Sequence, residues 1–284
     1  ITTEANPESV TPASLDALRA GGFTRISFGM QSSRRHVLAV LDRAHTPGRA
    51  AAAVAEARAA GFEHVNVDLI YGTPGETDLD WRASLEAAVE TEVDHVSAYS
   101  LIVEPGTRLA ARVSRGELPR PDDDLLADRY AIAEEVLAAA GFDWYEVSNW
   151  ARTPRARSRH NLLYWNSANW WGIGPGAHSH VGGVRWWNVK HPSEYASRLA
   201  ASTSPAAGRE TLTAEDKRVE RVMLGLRLRD GLALADLDEP GRLAAQQAGA
   251  DGLLDRQQLG EGRAVLTFRG RLLADAVVRA IVGS

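Results

Sequence analysis

The stretch GFEHVNVDLIYGTPGET at residues 61–77 decides the fold class of this chain. An Ala-rich run comes before it, and Gly61 suits the left-handed backbone position that ends a helix. The residues after Phe62 are rich in β-branched and other strand-forming types. A turn containing glycine and proline closes the stretch. The order therefore predicts a helix, a tight turn and a strand that leads into a loop.

The same order recurs on either side of this stretch. It is seen at Gly22-Phe23 before TRISFGMQ and at Gly141-Phe142 before DWYEVSNW, and HVSAYSL at 95–101 predicts a further strand. Strands that alternate with helices are typical of βα units around a parallel sheet. We therefore predict an α/β fold in the form of a partial TIM-like (βα) barrel. A solenoid is the alternative, although these units lack a fixed side-chain signature.

Three polar residues lie near the ends of predicted strands: Glu4, Gln31 and Asp68. In the strands at 24–31 and 64–71 every second residue is apolar, and these apolar sets suit packing against helices. The polar sets then face the inside of the barrel, where functional groups gather at the C-terminal ends of the strands. Asp68 needs a hydrogen-bond donor, because an unpaired carboxylate is costly to bury. Glu4, which precedes Asn-Pro, is by itself also typical of an ordinary turn.

The character of the sequence changes after residue 150. Five of the eight tryptophans fall within 165–187, together with many glycines. The stretch ASTSPAAGR at 201–209 predicts a linker by its Ser, Pro and Gly content. From 210 onward two helices, a β-ribbon over 252–268 and a final helix predict a small winged-helix-like α+β domain. The predicted domains are therefore 1–149, 150–209 and 210–284.

The composition narrows the classes of function. The net charge of −5 argues against a broad nucleic-acid surface, so the winged-helix-like domain is expected to pack against protein instead. The 284 residues contain no cysteine and therefore no thiolate metal site. No signal peptide and no apolar run of about 20 residues is visible, which makes a cytoplasmic location the expectation. Because the chain starts at Ile1 in a strand-like run, we expect it to be a fragment of a longer protein.

Four segments in the first half resemble the part of the coproporphyrinogen oxidase-like radical SAM family that binds S-adenosylmethionine (SAM). They are EANP at 4–7, GMQ at 29–31, Arg43 in RRHVLAVLDR, and NVDLIYGTPGET at 66–77. The resemblance implies that Glu4 meets the SAM pocket and that Gln31 and Asp68 hold the ribose hydroxyls. It implies that Arg43 faces the SAM carboxylate, which a planar guanidinium can pair in a bidentate manner. The family's CxxxCxxC loop for a [4Fe–4S] cluster, and its glycine-rich SAM-binding turn, would both lie before Ile1.

A second block resembles the haem-chaperone members of that family. It consists of HNLLYW at 160–165 and WGIGPGAHS at 171–179. The resemblance implies a haem site, for which the candidates are His160, Tyr164, Trp165 and His178. Imidazoles beside flat aromatic rings suit a porphyrin face with an axial nitrogen ligand. The alternative is that the histidines only satisfy loop hydrogen bonds and the tryptophans pack under the barrel; His180 is a weaker candidate.

The resemblance as a whole implies a haem chaperone that delivers haem to respiratory apoproteins, with SAM and a [4Fe–4S] cluster bound by the full-length parent. It allows a homodimer and peripheral association with a membrane, and it implies no nucleic-acid partner. Whether the protein is an enzyme stays open. One alternative is an oxygen-independent coproporphyrinogen III oxidase, because both groups share the SAM pocket. The other is a degenerate scaffold, because the chain has no cysteine.

Overall fold

The computed structural model describes residues 1–43, 46 and 48–283. The chain divides into two compact units, Ile1–Arg157 and Ser158–Ser284. Each unit has a hydrophobic core of its own, so each is described separately. No helix in the described part of the chain is both long and apolar enough to cross a bilayer.

The first unit is built on one mixed β-sheet. In chain order its strands are β1 (Thr2–Ala5), β2 (Arg25–Gln31), β3 (His64–Tyr71), β4 (His95–Ser100), β5 (Asp143–Glu146) and β6 (Asn149–Ala151). Their order in the sheet is β1-β2-β3-β4-β6-β5, and β1 to β4 run parallel to one another, as predicted.

The third repeat differs from the prediction of a single parallel strand. DWYEVSNW forms an antiparallel hairpin, because the chain reverses between Glu146 and Asn149, and β6 then pairs with β4 in the antiparallel sense. The domain boundary predicted at 149/150 therefore falls inside a strand of this sheet.

Helices connect the parallel strands of the first unit, as expected for βα units. The turns after the helices at 12–20, 49–59 and 123–139 contain Gly22, Gly61 and Gly141, with φ angles of 90°, 84° and 81°. Glycine enters this left-handed region without steric penalty, which confirms the predicted helix ends. The helices are α1 (Pro12–Ala20), α2 (Arg35–Val40), α3 (Arg49–Ala59), α4 (Asp78–Glu90), α5 (Arg108–Ser114) and α6 (Asp123–Ala139).

The core of the first unit confirms the predicted alternation of the strands. Ile26 and Phe28 of β2, and Val65, Val67 and Leu69 of β3, are buried in one cluster with residues of α3, α4 and α6. The opposite face carries polar side chains, so the sheet has one apolar face toward the helices and one polar face. Functional groups on the strands can gather only on this polar face.

The second unit contains a three-stranded antiparallel sheet, ordered β7-β8-β9, and a helical region with a short ribbon, β10-β11. In chain order its elements are α7 (Arg159–Trp165), β7 (His178–Val181), β8 (Val184–Asn188), α8 (Pro192–Ala200), β9 (Ala206–Thr211), α9 (Ala214–Gly225), β10 (Leu232–Ala233), α10 (Glu239–Ala250), α11 (Arg256–Gly260), β11 (Arg263–Ala264), α12 (Phe268–Leu272) and α13 (Ala274–Val282).

Two predictions for this unit were wrong in detail. Residues 206–209, predicted as part of a linker, belong to β9, because β8 offers a free edge to which they hydrogen-bond. The ribbon predicted over 252–268 is reduced to one antiparallel bridge between Leu254 and Leu266, because α11 lies between its two arms. The strand that pairs with β11 is β10, which precedes α10.

Candidate functional site

Asp68 lies at the centre of a hydrogen-bonded cluster on the polar face of the first sheet. Ser27 donates its hydroxyl to Asp68 Oδ2 over 2.7 Å, and the Asn66 amide nitrogen donates to Asp68 Oδ1 over 2.8 Å. The same amide nitrogen lies 3.1 Å from the hydroxyl of Ser97. Strand register explains the cluster, since Ser27 pairs with Asn66 and Asp68 pairs with Ser97. Asp68 therefore has the donors that its burial requires.

A neutral histidine, His95, holds the Asn66 side chain of this cluster in place. His95 is fully buried, and burial lowers its pKa well below the usual range. Its Nδ1 lies 2.6 Å from the Asn66 side-chain oxygen, which can only accept, so Nδ1 carries the proton. Its Nε2 then accepts from the hydroxyl of Tyr145 over 2.7 Å. This chain of bonds fixes the orientation of the Asn66 amide toward Asp68.

The pKa of Asp68 is raised, chiefly by burial. Hydrogen bonds from Ser27, Ser97 and Asn66 oppose that shift, and the negative charge of Glu4 adds to it. Burial, and then the charge of Asp68, raises the pKa of Tyr99 to about 12, so its hydroxyl remains a donor at neutral pH. Tyr99 lies two residues after Ser97 on β4 and is 41% exposed. The open face beside Asp68 thus offers a carboxylate acceptor and a phenolic donor.

Gln31 reaches this face by an irregular backbone. The alternation of side chains along β2 does not by itself put Gln31 on the polar face, because the β2–β3 register shifts between Gly29 and Gln31. The backbone of Gln31 also has a φ of 64°. A non-glycine residue in this region is uncommon and is often found at functional positions. Its amide nitrogen lies over Gly29, where an added Cβ would be only 2.8 Å away. Gly29 pairs with Asp68, so the amide of Gln31 is brought to the row that holds the carboxylate.

Glu4 and Arg43 occupy exposed positions. Glu4 pairs with Ser27 in the register of β1 and β2, which puts its side chain on the polar face beside the Asp68 cluster. Arg43 was expected in a helix, but α2 ends at Val40 and Asp42 has a φ of 52°, which no α-helix can continue. The Arg43 side chain has no hydrogen bond or ion pair with any described residue, including Glu4, Gln31 and Asp68. Its assignment stays a prediction.

Sequence reasoning missed a second polar pair on this sheet. Glu146 and Asn149 are buried, and the Asn149 amide donates to Glu146 Oε1. Asn149 pairs with Ser97, which continues the polar row toward the hairpin edge. The sequence analysis did not name Ser97 or Tyr99 either, although alternation within HVSAYS would have indicated both. No local signal indicates Glu146 and Asn149, because only the hairpin brings them into the row.

The loop after β3 is fixed by a buried ion pair. Glu76 Oε2 accepts from the backbone N–H of Gly72 over 2.8 Å and from Arg129 Nη1 of α6 over 3.0 Å. Arg129 also donates to the backbone oxygen of Glu76. Burial raises the pKa of Glu76 to about 7, although Arg129 opposes that shift. The TPGE turn is thus tied to α6, and this loop continues directly from the strand that carries Asp68.

In the second unit the predicted aromatic block forms a series of ring contacts. The rings of His160 and Tyr164, both on α7, have centroids 4.9 Å apart. Tyr164 contacts Trp170 at 4.8 Å, and Trp170 contacts His180 at 4.9 Å. The series therefore brings together two of the predicted haem residues, His160 and Tyr164, with the weaker candidate His180.

The other two predicted haem residues lie apart from this series. His178 stacks on Trp187, with ring centroids 6.0 Å apart. Trp165 is half-buried at the end of α7. The four candidates therefore do not form a single cluster of ring contacts.

The glycine-rich loop of the block has a specific structural role. A Cβ on Gly172 would lie 2.1 Å from the backbone oxygen of His178, so only glycine fits there. The loop is held by Asn188, whose amide donates to the Gly174 carbonyl over 2.9 Å, and by Tyr195, which accepts from Gly174 N–H over 3.0 Å. Trp171 and Ile173 beside it are 69% and 84% exposed, so the loop presents apolar groups at the surface.

Comparison with known proteins identifies the family. Residues 1–88 match the Radical SAM superfamily. The "Heme chaperone HemW" of Mycobacterium tuberculosis (strain H37Rv) is 59% identical over 283 residues, covering 100% of this chain and 72% of the relative. The chain belongs to the HemW family. HemW of Bacillus subtilis is 32% identical over 285 residues, which cover 99% of this chain and 75% of that protein.

More distant similarities agree with the HemW assignment. The mitochondrial radical S-adenosyl methionine domain-containing protein 1 of Mus musculus is 43% identical over 178 residues, covering 63% of this chain and 40% of the relative. The structure of coproporphyrinogen III oxidase (HemN) from Escherichia coli superposes with a TM-score of 0.80 at 23% identity, covering 99% of this chain and 69% of that chain. At this identity the likeness concerns the fold, and it confirms the predicted radical SAM architecture.

Proposed function

We propose that this HemW-family chain binds haem and passes it to haem-requiring respiratory apoproteins. The observation that carries the proposal is the 59% identity to a heme chaperone over the whole chain. The geometry of the second unit supports it, because histidine and aromatic rings contact one another there and several are exposed. The oxidase alternative has weaker support, since the HemN likeness at 23% identity concerns the fold.

The first unit fits a SAM site. Asp68 provides an acceptor for ribose hydroxyls, Gln31 brings an amide to the same row, and Glu4 adds a second carboxylate beside them. Arg43 is the candidate for the SAM carboxylate. When bound, SAM supplies a sulfonium that can be cleaved reductively in this superfamily. The contribution of this chain is to hold the ribose, with the Ser27–Asn66–His95 bonds keeping the Asp68 carboxylate in place.

The residues of this chain do not fit a [4Fe–4S] cluster. Such clusters are held by cysteine thiolates, and the 284 residues contain no cysteine. The described residues also contain no group of three or more His, Asp or Glu side chains that could hold a metal ion. The function proposed for this chain therefore includes no step through the cluster.

Haem is proposed to bind in the second unit, which contains His160, Tyr164, Trp165 and His178. Flat aromatic rings provide contact area for a porphyrin, and an imidazole can ligate its iron. His160 and His178 are both exposed and therefore accessible to a ligand. These four residues stay candidates, and a binding measurement can separate them from residues that only pack.

The test is a hemin titration of the 284-residue chain, followed by Soret absorbance and by quenching of tryptophan fluorescence. We expect saturation near one haem per chain, and transfer of the bound haem to an apo-haem protein added afterwards. The matched control is Asp68→Asn in the first unit, which should leave the titration unchanged. Absence of a saturable Soret change in the unmodified chain would refute the proposed function.

A further inference from the structure

A cavity of about 530 Å³ lies within the second unit, between the β7–β8 hairpin, α9 and the β10–β11 ribbon. Trp165, the last residue of α7, contributes to its wall, together with the apolar side chains of Leu212, Leu228 and Leu232. His180 of β7 and Lys217 of α9 also line it. The volume falls in the range of about 300–1,000 Å³ that is usual for sites of small molecules and cofactors.

His180 differs from the other histidines of this unit in its hydrogen bonding. It is only 5% exposed, and its Nδ1 lies 3.1 Å from the backbone oxygen of Ala168. A carbonyl oxygen can only accept, so Nδ1 carries the proton, and in the neutral ring Nε2 keeps its lone pair. Nε2 is buried, and the described part of the chain offers it no hydrogen-bond partner. A buried polar atom without a partner is rare and costly, and it points to a ligand or water.

The same bonding pattern is found in histidines that bind metals. A ligating imidazole usually donates its other N–H to a carbonyl or carboxylate, which fixes the tautomer and the ring orientation. In this chain the Ala168 carbonyl provides that contact, and the ring of Trp170 packs on the imidazole with centroids 4.9 Å apart. His160 and His178 have aromatic contacts but no comparable hydrogen bond within the described residues.

Within the described residues, Lys217 differs in its contacts from Arg221 and Arg263, the two arginines that also line the cavity. Glu220 is paired with Arg185 over 2.5 Å, and Arg221 is paired with Asp236 over 3.1 Å. Arg263 donates to the backbone oxygens of residues 230 and 231. Lys217 has no ion pair in the described part of the chain, and its ammonium group lies against Gly183. The cavity thus combines a histidine side chain, partly apolar walls and an ammonium group that has no ion pair among the described residues.

We propose that this cavity receives the haem, with His180 Nε2 as an axial ligand of the iron and Lys217 paired with a propionate. This inference rests on the proposed function. It prefers His180, the weaker candidate of the sequence analysis, and adds Lys217, to which the sequence did not point. It involves only a coordination bond and an ion pair, without a redox or covalent step. Because Nε2 is fully buried, the iron reaches it only after part of the cavity wall moves, and Nε2 then gains the partner that it lacks.

The first experiment compares His180→Ala with the matched control His191→Ala, each in the 284-residue chain titrated with hemin. His191 is an exposed histidine of the same unit and is not among the haem candidates. We expect His180→Ala to lower the haem affinity at least about tenfold. It should also lose the electron paramagnetic resonance and visible spectra of histidine-ligated haem, and millimolar free imidazole should restore those spectra. The control His191→Ala should keep them.

Other outcomes separate the two proposals. If unmodified chain binds hemin and His180→Ala keeps the histidine-ligated spectrum, the His180 assignment is wrong and the proposed function stands. If unmodified chain does not bind hemin, both fail. Should His180→Ala not fold, His180→Gln decides by the same spectra, since glutamine can still donate to the Ala168 carbonyl.

A second experiment tests the ammonium group. Lys217→Gln should weaken the binding of hemin several-fold and leave the binding of its dimethyl ester unchanged, because the ester has no propionate charge. Equal effects on both ligands would overturn the assignment of Lys217.

Discussion

Removal of Arg129 should destabilise the first unit, with a penalty that depends on pH. The side chain of Arg129 is 2% exposed and that of its partner Glu76 is 0% exposed. In Arg129→Met the methionine side chain has a volume similar to that of arginine, but the Glu76 carboxylate stays buried without its cation. Breaking a buried pair in this way typically costs about 3–5 kcal/mol in the free energy of unfolding. Because the hydrogen bond from Gly72 N–H remains, we expect the lower end of that range, about 3 kcal/mol, at about pH 8.5.

The pH dependence follows from the pKa of Glu76, which is raised to about 7 in the folded chain. Loss of Arg129 removes a charge that favours the ionised form, so the pKa should rise further. At about pH 5.5 Glu76 is protonated with or without Arg129, and the attraction to the guanidinium is then small. The penalty of Arg129→Met should therefore be smaller at about pH 5.5 than at about pH 8.5.

The assay is urea unfolding at both pH values for Arg129→Met, Glu76→Gln and the double variant. The two units can unfold separately, so the transition that shifts in all three variants identifies the first unit. In the Glu76→Gln background, Arg129→Met should cost less than about 1 kcal/mol, because no buried charge is left unpaired. Equal costs of Arg129→Met in both backgrounds, or a larger cost at the lower pH, would refute the ion-pair reasoning.

Two further predictions concern the proposed SAM site and are tested by calorimetric titration with SAM. Asp68→Asn should weaken the binding of SAM by about 1–3 kcal/mol, because a carboxylate acceptor is lost. Burial raises the pKa of Asp68, so the affinity of the unmodified chain for SAM should begin to fall at a higher pH than the pKa of an ordinary aspartate would give. A pH profile of binding that is the same in Asp68→Asn would contradict this. Gly29→Ala should displace the Gln31 amide, which lies 2.8 Å from the new Cβ, and weaken SAM binding several-fold with little change in Tm; unchanged affinity would show that Gln31 does not contact SAM.

Local sequence patterns determined most of the sheet and part of the site. Glycine followed by phenylalanine marked three helix ends, because only glycine enters the left-handed region freely. Strict alternation in 64–71 assigned Asp68 to the polar face, because successive side chains of a strand point to opposite faces. The motif HNLLYW fixed only the four-residue spacing of His160 and Tyr164; helix α7, which the sequence analysis did not predict, brings their rings into contact.

Only the tertiary structure decided the features that depend on contacts between distant segments. The backbone of Gln31 leaves the regular strand geometry at a shift in the β2–β3 register, which alternation cannot reveal. Residues 206–209 became a strand because the edge of β8 accepted their hydrogen bonds, and Glu146 entered the polar row through the pairing of β6 with β4. His180 stands out from His160 and His178 because Ala168 fixes its proton and a cavity lies beside it. Hydrogen-bond partners and burial are set by the whole unit, whereas turn and strand preferences are set by neighbouring residues.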